Sequence, residues 1–160
     1  MVVLDSNVLI NAKNFYYRMG IFPVFWKWLS KQFNDGNVIS LDHVYQELIA
    51  GKDKLKDWAK ENKDHFVDSS AREVQAEYAN VLRHVMTLSF SQEKVDEFFS
   101  KADPWIIAYS KVNDATLITH ESFNTQRQKK KIYIPNICDD FDVEYINTFD
   151  MMEKLGVQFS

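Results

Sequence analysis

Apolar residues follow two rhythms along this chain. Short unbroken runs at Val2–Leu4, at Val38–Leu41 and at residues 115–119 (Ala-Thr-Leu-Ile-Thr) read as strands buried on both faces. Between them apolar positions recur every three or four residues. Residues 22–33 place Phe22, Phe25, Trp26, Leu29 and Phe33 on one helical stripe opened by Pro23, and Asn34-Asp35-Gly36 stops it. Asp42 is a natural N-cap for a helix through residue 50 that Gly51 terminates. Residues 53–62, 69–87 and 92–100 predict further helices, the middle one carrying Val74, Tyr78, Val81, Leu82 and Val85 along one face. Asp103-Pro104 starts another, with Trp105, Ile106, Ile107 and Ala108 behind it. Residues 132–134 (Ile-Tyr-Ile) form a fourth strand candidate, 143–155 a closing helix stopped by Gly156, and 157–159 a terminal edge strand.

Strands alternating with helices at crossover spacing predict an α/β layer architecture around a mainly parallel sheet, in a single domain over residues 1–160. Ligand sites of such sheets lie beyond the carboxyl ends of the strands. The composition agrees: 160 residues, 46% hydrophobic and 14% aromatic, with only four Gly and three Pro, suit one helix-rich core without linkers. The opening MVVLDSNVLI has no basic region and meets charge at Asp5, which predicts a core strand rather than a signal peptide. No apolar stretch reaches membrane-spanning length. The single Cys138 allows neither an internal disulfide nor a Cys-x-x-Cys zinc site; it is expected as a small buried hydrophobe in a reducing cytoplasm. A net charge of −4 argues against a generally basic nucleic-acid-binding surface, an objection that weakens where acids gather around bound cations.

Four acids stand at informative places. Asp5 follows the first strand and Glu121 follows residues 115–119 and His120, so both are expected at the carboxyl edge of the sheet. Glu47 lies one turn from Val44 and beside Leu48, half-turned toward the apolar face of its helix, where an ionised carboxylate needs a cation or hydrogen-bond partners. Asp103 precedes Pro104 at a helix start. Each has a plain structural reading beside the chemical one: a turn or cap for Asp5 and Asp103, a snorkelling surface side chain for Glu47, an exposed loop for Glu121. The quartet carries the signal, not its members.

With hydrophobic-Asp-Ser-Asn at residues 3–7, Tyr45-Gln46-Glu47-Leu48, the run from Ala102 to Ala108, Leu117 to Glu121, and Lys131-Ile132 through Ile134-Pro135-Asn136-Ile137-Cys138, the chain resembles the PIN-like family, and more closely its DUF4411-type branch. The resemblance covers nearly the whole chain. It implies a three-layer sandwich with helices on both sides of the sheet, divalent-metal ribonuclease activity with Mg2+ or Mn2+, and commonly a toxin role beside an antitoxin protein, with a homodimer as a reasonable assembly. By position, Asp5, Glu47 and Asp103 match the family's most regular acids, with Ser6 or Asn7 supporting the first. Glu121 corresponds to a fourth region that often holds Asp, so a direct ligand, a water-mediated one and a bystander near Asn124 all stay open.

Such a set suits magnesium, which takes oxygen ligands and keeps several waters, leaving room for a phosphate and an attacking water. Asp5 and Asp103 are expected on the principal ion, Glu47 and Glu121 on a second ion or the water, with Ser6 and Asn7 orienting Asp5. Arg127, Lys129, Lys130 and Lys131 form a basic run suited to RNA phosphates, although a solvated loop explains it equally. The histidines, His43, His65, His84 and His120, lack His-x-x-x-His pairing, and no nucleophile elbow or phosphate-binding glycine loop is present. Two rival readings remain. An aspartyl-phosphate phosphatase of the haloacid-dehalogenase type also places Asp after strand one, but needs a second acid where Asn7 stands. A non-catalytic interaction module would use the same acids as caps.

Overall fold

The computed structural model describes residues 1–125 and 130–159. Five strands, β1 (Val2–Leu4), β2 (Val38–Leu41), β3 (Phe66–Val67), β4 (Thr116–Ile118) and β5 (Tyr145–Ile146), form one sheet in the order β3-β2-β1-β4-β5. Every pairing is parallel, with Val3 opposite both Ile39 and Leu117. Parallel neighbours need a crossover between them, which the helices supply. They are α1 (Ser6–Asn11), α2 (Pro23–Asn34), α3 (Asp42–Ile49), α4 (Lys54–Glu61), α5 (Arg72–Met86), α6 (Gln92–Phe99), α7 (Asp103–Asn113), α8 (Ile134–Asp140) and α9 (Thr148–Lys154). The result is the α/β layer architecture that the alternation predicts, in the three-layer form that the resemblance implies. No helix among the described residues is long and apolar enough to cross a membrane.

The apolar runs are strands because both of their faces are covered. Val3, Leu4, Leu41, Leu117 and Ile118 are fully buried, and α7 packs across β1, β2 and β4. Phe25, Leu29 and Phe33 are buried on the predicted stripe of α2, which packs against β2. Cys138 is fully buried, and burial pushes its thiol pKa up.

Three expectations are corrected. Residues 132–134 are not a strand: Ile134 opens α8, because Pro135 at the first turn favours helix and cannot donate to a sheet ladder. The expected closing helix divides into β5 and α9, since the Asn147 side chain accepts the Asp150 N–H and caps α9 there, leaving Tyr145-Ile146 to pair with β4. Residues 157–159 make no strand. The two-residue β3, too short to show a pattern, is an addition.

The chain runs from β1 outward through β2 to β3, then returns to lay β4 on the other side of β1. The order therefore reverses between β1 and β4. In open parallel sheets a crevice opens at that point, at the carboxyl ends of the strands.

Candidate active site

Asp5 is the last residue stitched into the sheet at this crevice, its N–H donating to the Ile118 carbonyl at 3.2 Å. It occupies the N-cap position of α1, yet its side chain makes no cap bond. The carboxylate is 0% exposed, with Oδ1 3.5 Å from the Ser6 hydroxyl and Oδ2 without a hydrogen-bond partner among the described residues. Burial drives its pKa well above the ordinary carboxylate range. The charges of Asp103, Glu121 and Glu47 raise it further, and the backbone N–H of Asn7 pulls the other way.

Asp103, 4% exposed, stands in the first turn of α7, whose N-cap is Ala102, so capping does not account for its carboxylate. Burial, then the charge of Glu121, raises its pKa to about 7; Lys101 and Lys131 moderate the rise, and Glu47 adds to it. Two buried acids from separate crossovers thus feel the same group of charges.

The glutamates are held differently. Glu47 on α3 accepts the Ser6 hydroxyl at 2.5 Å through Oε2 and the Ala102 N–H at 2.6 Å through Oε1. One side chain therefore joins the entries of α1 and α7, the two helices that follow or contain Asp5 and Asp103. Glu121 accepts the Ile134 N–H at 2.7 Å, at the head of α8, and the Lys131 ammonium at 2.6 Å; its own N–H is held by Thr119 Oγ1 at 3.1 Å. Both glutamates satisfy backbone donors that a helix start leaves open.

All four predicted acids therefore come to one end of the sheet, but with their oxygens differently committed. Among the described residues no three His, Cys, Asp or Glu side chains close on a common point as metal ligands. Their mutual electrostatic influence and this splayed arrangement are compatible, because charges act over a longer range than coordination bonds. The donor chemistry still fits a hard divalent ion. It is all carboxylate oxygen, one of its atoms is a buried orphan, and its two aspartates are buried among like charges that Lys101 and Lys131 offset only in part at Asp103.

A family model described as a domain of unknown function (DUF4411) matches residues 2–159. The chain belongs to DUF4411. No curated protein and no solved structure matches it.

Around the acids, the supporting residues differ from expectation. Ser6 is engaged mainly by Glu47 rather than Asp5, and Asn7 acts on Asp5 through its backbone N–H while its side chain is exposed. Of the basic run, Arg127 and Lys129 lie outside the described residues. Lys130 is exposed, and Lys131 is half-buried, paired with Glu121 and 5.2 Å from the Tyr133 ring centre. Sequence reasoning missed Thr119 and the backbone donors of Ala102 and Ile134. Backbone groups carry no sequence signal, and their partners lie 55 and 13 residues away.

The joint made by Glu47 gives a direct expectation. Glu47→Ala leaves the Ala102 N–H without its acceptor and should cost roughly 1–3 kcal/mol in urea unfolding, whereas Glu47→Gln should recover most of it through the amide oxygen. The comparison belongs at pH 5, where Asp103 is protonated and relief of repulsion is small. Equal stability of Glu47→Ala and the parent there would deny the joint its role.

Proposed function

We propose that this DUF4411 chain is a PIN-like, divalent-metal-dependent endoribonuclease. The observation that carries the reading is Asp5: a fully buried carboxylate with an orphan oxygen, at the switch point of a parallel sheet, its pKa raised by that burial and then by three other acids. A group so placed is costly in isolation and is explained by a cation.

Asp5 and Asp103 would hold Mg2+ or Mn2+, with Glu47 and Glu121 bordering the site. When bound, the ion supplies a more acidic water and offsets charge building on the phosphate. The chain's own contribution is positioning. Glu47 keeps the entries of α1 and α7 in register, so that Asp5 and Asp103 face the same crevice. Glu121 holds Lys131 at the rim, where its half-exposed ammonium can meet an RNA phosphate. The acids around Asp5 repel a phosphodiester until a cation neutralises them, which makes RNA binding itself depend on metal.

The resemblance extends the proposal to a toxin that acts inside the cytoplasm, is restrained by an antitoxin protein and assembles as a homodimer. One observation favours a protein partner as an alternative role. Phe15, Ile21, Phe22 and Val24 are all exposed although the chain has a large core to hold them, and a non-catalytic interaction module would use such side chains.

The two readings part on metal. Purified protein incubated with a pool of cellular RNAs should cleave them with manganese and not with chelator, and Asp103→Asn should remove the activity. Cleavage that persists in chelator, or Asp103→Asn turning over like the parent, contradicts the nuclease reading. Intact RNA together with an unshifted melting temperature in manganese leaves the interaction module as the better account.

A further inference from the structure

An open cavity of about 360 Å³ adjoins the acids through Glu121 and is lined by His120, Tyr145, Asn147, Phe149 and Asp150 among others. Rings in its wall and packed beside it are exposed. Phe149 is 42% exposed, and Tyr16, carried by a π-helical turn at Ala12–Tyr16, is 49% exposed. Tyr16 meets Phe149 edge-on at 5.3 Å between ring centres and His120 at 5.6 Å. The imidazole is fixed by Thr148 Oγ1 at 2.8 Å from Nε2, so the ring group is anchored to α9 at one end and to the loop after β4 at the other. Exposed aromatic faces around a cleft are costly unless something flat covers them.

The charges around the cavity say which part of a nucleotide would enter. Among the described residues its lining holds Glu121 and Asp150 and no lysine or arginine, which disfavours a phosphate there. On the acid side the Lys131 ammonium donates to Glu121 Oε1. Glu121 thus separates a cationic rim, which suits phosphate, from an aromatic, acceptor-lined cavity, which suits a base edge bearing N–H donors.

We infer that this cavity, with His120 and Phe149 in its wall and Tyr16 packed against both rings, is a base-stacking subsite that receives one unpaired, amino-bearing nucleobase of the substrate while the adjoining phosphate lies at Lys131. The inference rests on the nuclease reading and adds to it the place where a base is gripped. The subsite orients the strand across Glu121 toward Asp5 and Asp103. It also selects against duplexes, whose bases cannot leave the stack without cost.

The test is equilibrium binding rather than turnover. A short single-stranded RNA carrying one 2-aminopurine is titrated with the full-length protein in calcium, which takes the same oxygen ligands as magnesium. The fluorescence of the probe should fall as it stacks. Phe149→Ala and Tyr16→Ala should each weaken Kd by roughly 5- to 100-fold and restore fluorescence, with unchanged melting temperature as expected for exposed rings, and Phe149→Trp should keep both quenching and affinity. Should either alanine variant lose stability, Phe149→Trp and the comparison of single-stranded with duplex RNA on the parent still decide. Tight binding without quenching, or with quenching and Kd indifferent to both ring deletions, overturns the subsite and leaves the nuclease reading standing. No binding of any RNA by the parent overturns both.

Discussion

Asp5→Asn should reduce metal-dependent RNA cleavage by more than about 100-fold, the loss that changes in supporting residues around metal sites already reach. In the same molecule it should make the metal-free protein more stable. The two effects share one cause. Asp5 is wholly buried with an orphan oxygen, and three other acids act on it. Ionised neighbours repel by up to about 4 kcal/mol per close pair at an effective dielectric of 20, and an amide of the same shape removes that repulsion while offering N–H donors to nearby carboxylates. A gain of 2–3 kcal/mol would lift the melting temperature at pH 8 by roughly 4–12 °C in a chain of this size. Magnesium should then stabilise the parent and leave Asp5→Asn nearly unmoved. A variant that loses stability in chelator, or that responds to magnesium like the parent, contradicts the placement of Asp5 at a cation site.

Stability should also run against the usual direction with pH. Asp103 has its pKa raised to about 7 from an ordinary 3.8, chiefly by burial and by Glu121. The folded state therefore holds this proton more tightly than the unfolded chain does. The stabilisation is fully present below about pH 4 and is lost as pH rises through about 7, and by linkage it amounts to about 4 kcal/mol over that window. Asp5, raised in the same direction, adds to the slope. Other carboxylates work oppositely at lower pH: Asp53, held down by Lys13, loses its contribution on acidification. Comparing parent with Asp103→Asn cancels such terms. The difference between their unfolding free energies, followed in chelator from pH 4.5 to 8, should change by several kcal/mol. Parallel curves for the two proteins would show that Asp103 is not the buried, crowded acid described here.

Much of this was legible in the sequence because the sheet is parallel. Strands covered on both faces must be apolar throughout, so β1, β2 and β4 stand out, and the acids after β1 and β4 then fall at the sheet's carboxyl edge. Glu47 was legible as a carboxylate half-turned toward the core. What it does there was not, because its partner is the N–H of Ala102, and a backbone amide looks the same at every position. The misread segment 132–134 is apolar and β-branched, and its local preference yields to Pro135 and to Glu121 receiving the Ile134 N–H. β5 was hidden inside a helical pattern that the Asn147 cap interrupts. The role of Lys131 was hidden in a basic run, where nothing local distinguishes this lysine, which reaches Glu121, from its exposed neighbour Lys130.

At the centre stands the claim that Asp5 and Asp103 share one divalent cation at the β1/β4 switch point. Manganese soaked into crystals of the protein and located by its anomalous scattering tests it most directly. A peak in contact with Asp5 Oδ2 and the Asp103 carboxylate is the expected result. Manganese found only on surface carboxylates, with the crevice between β1 and β4 empty at saturating concentration, would contradict it.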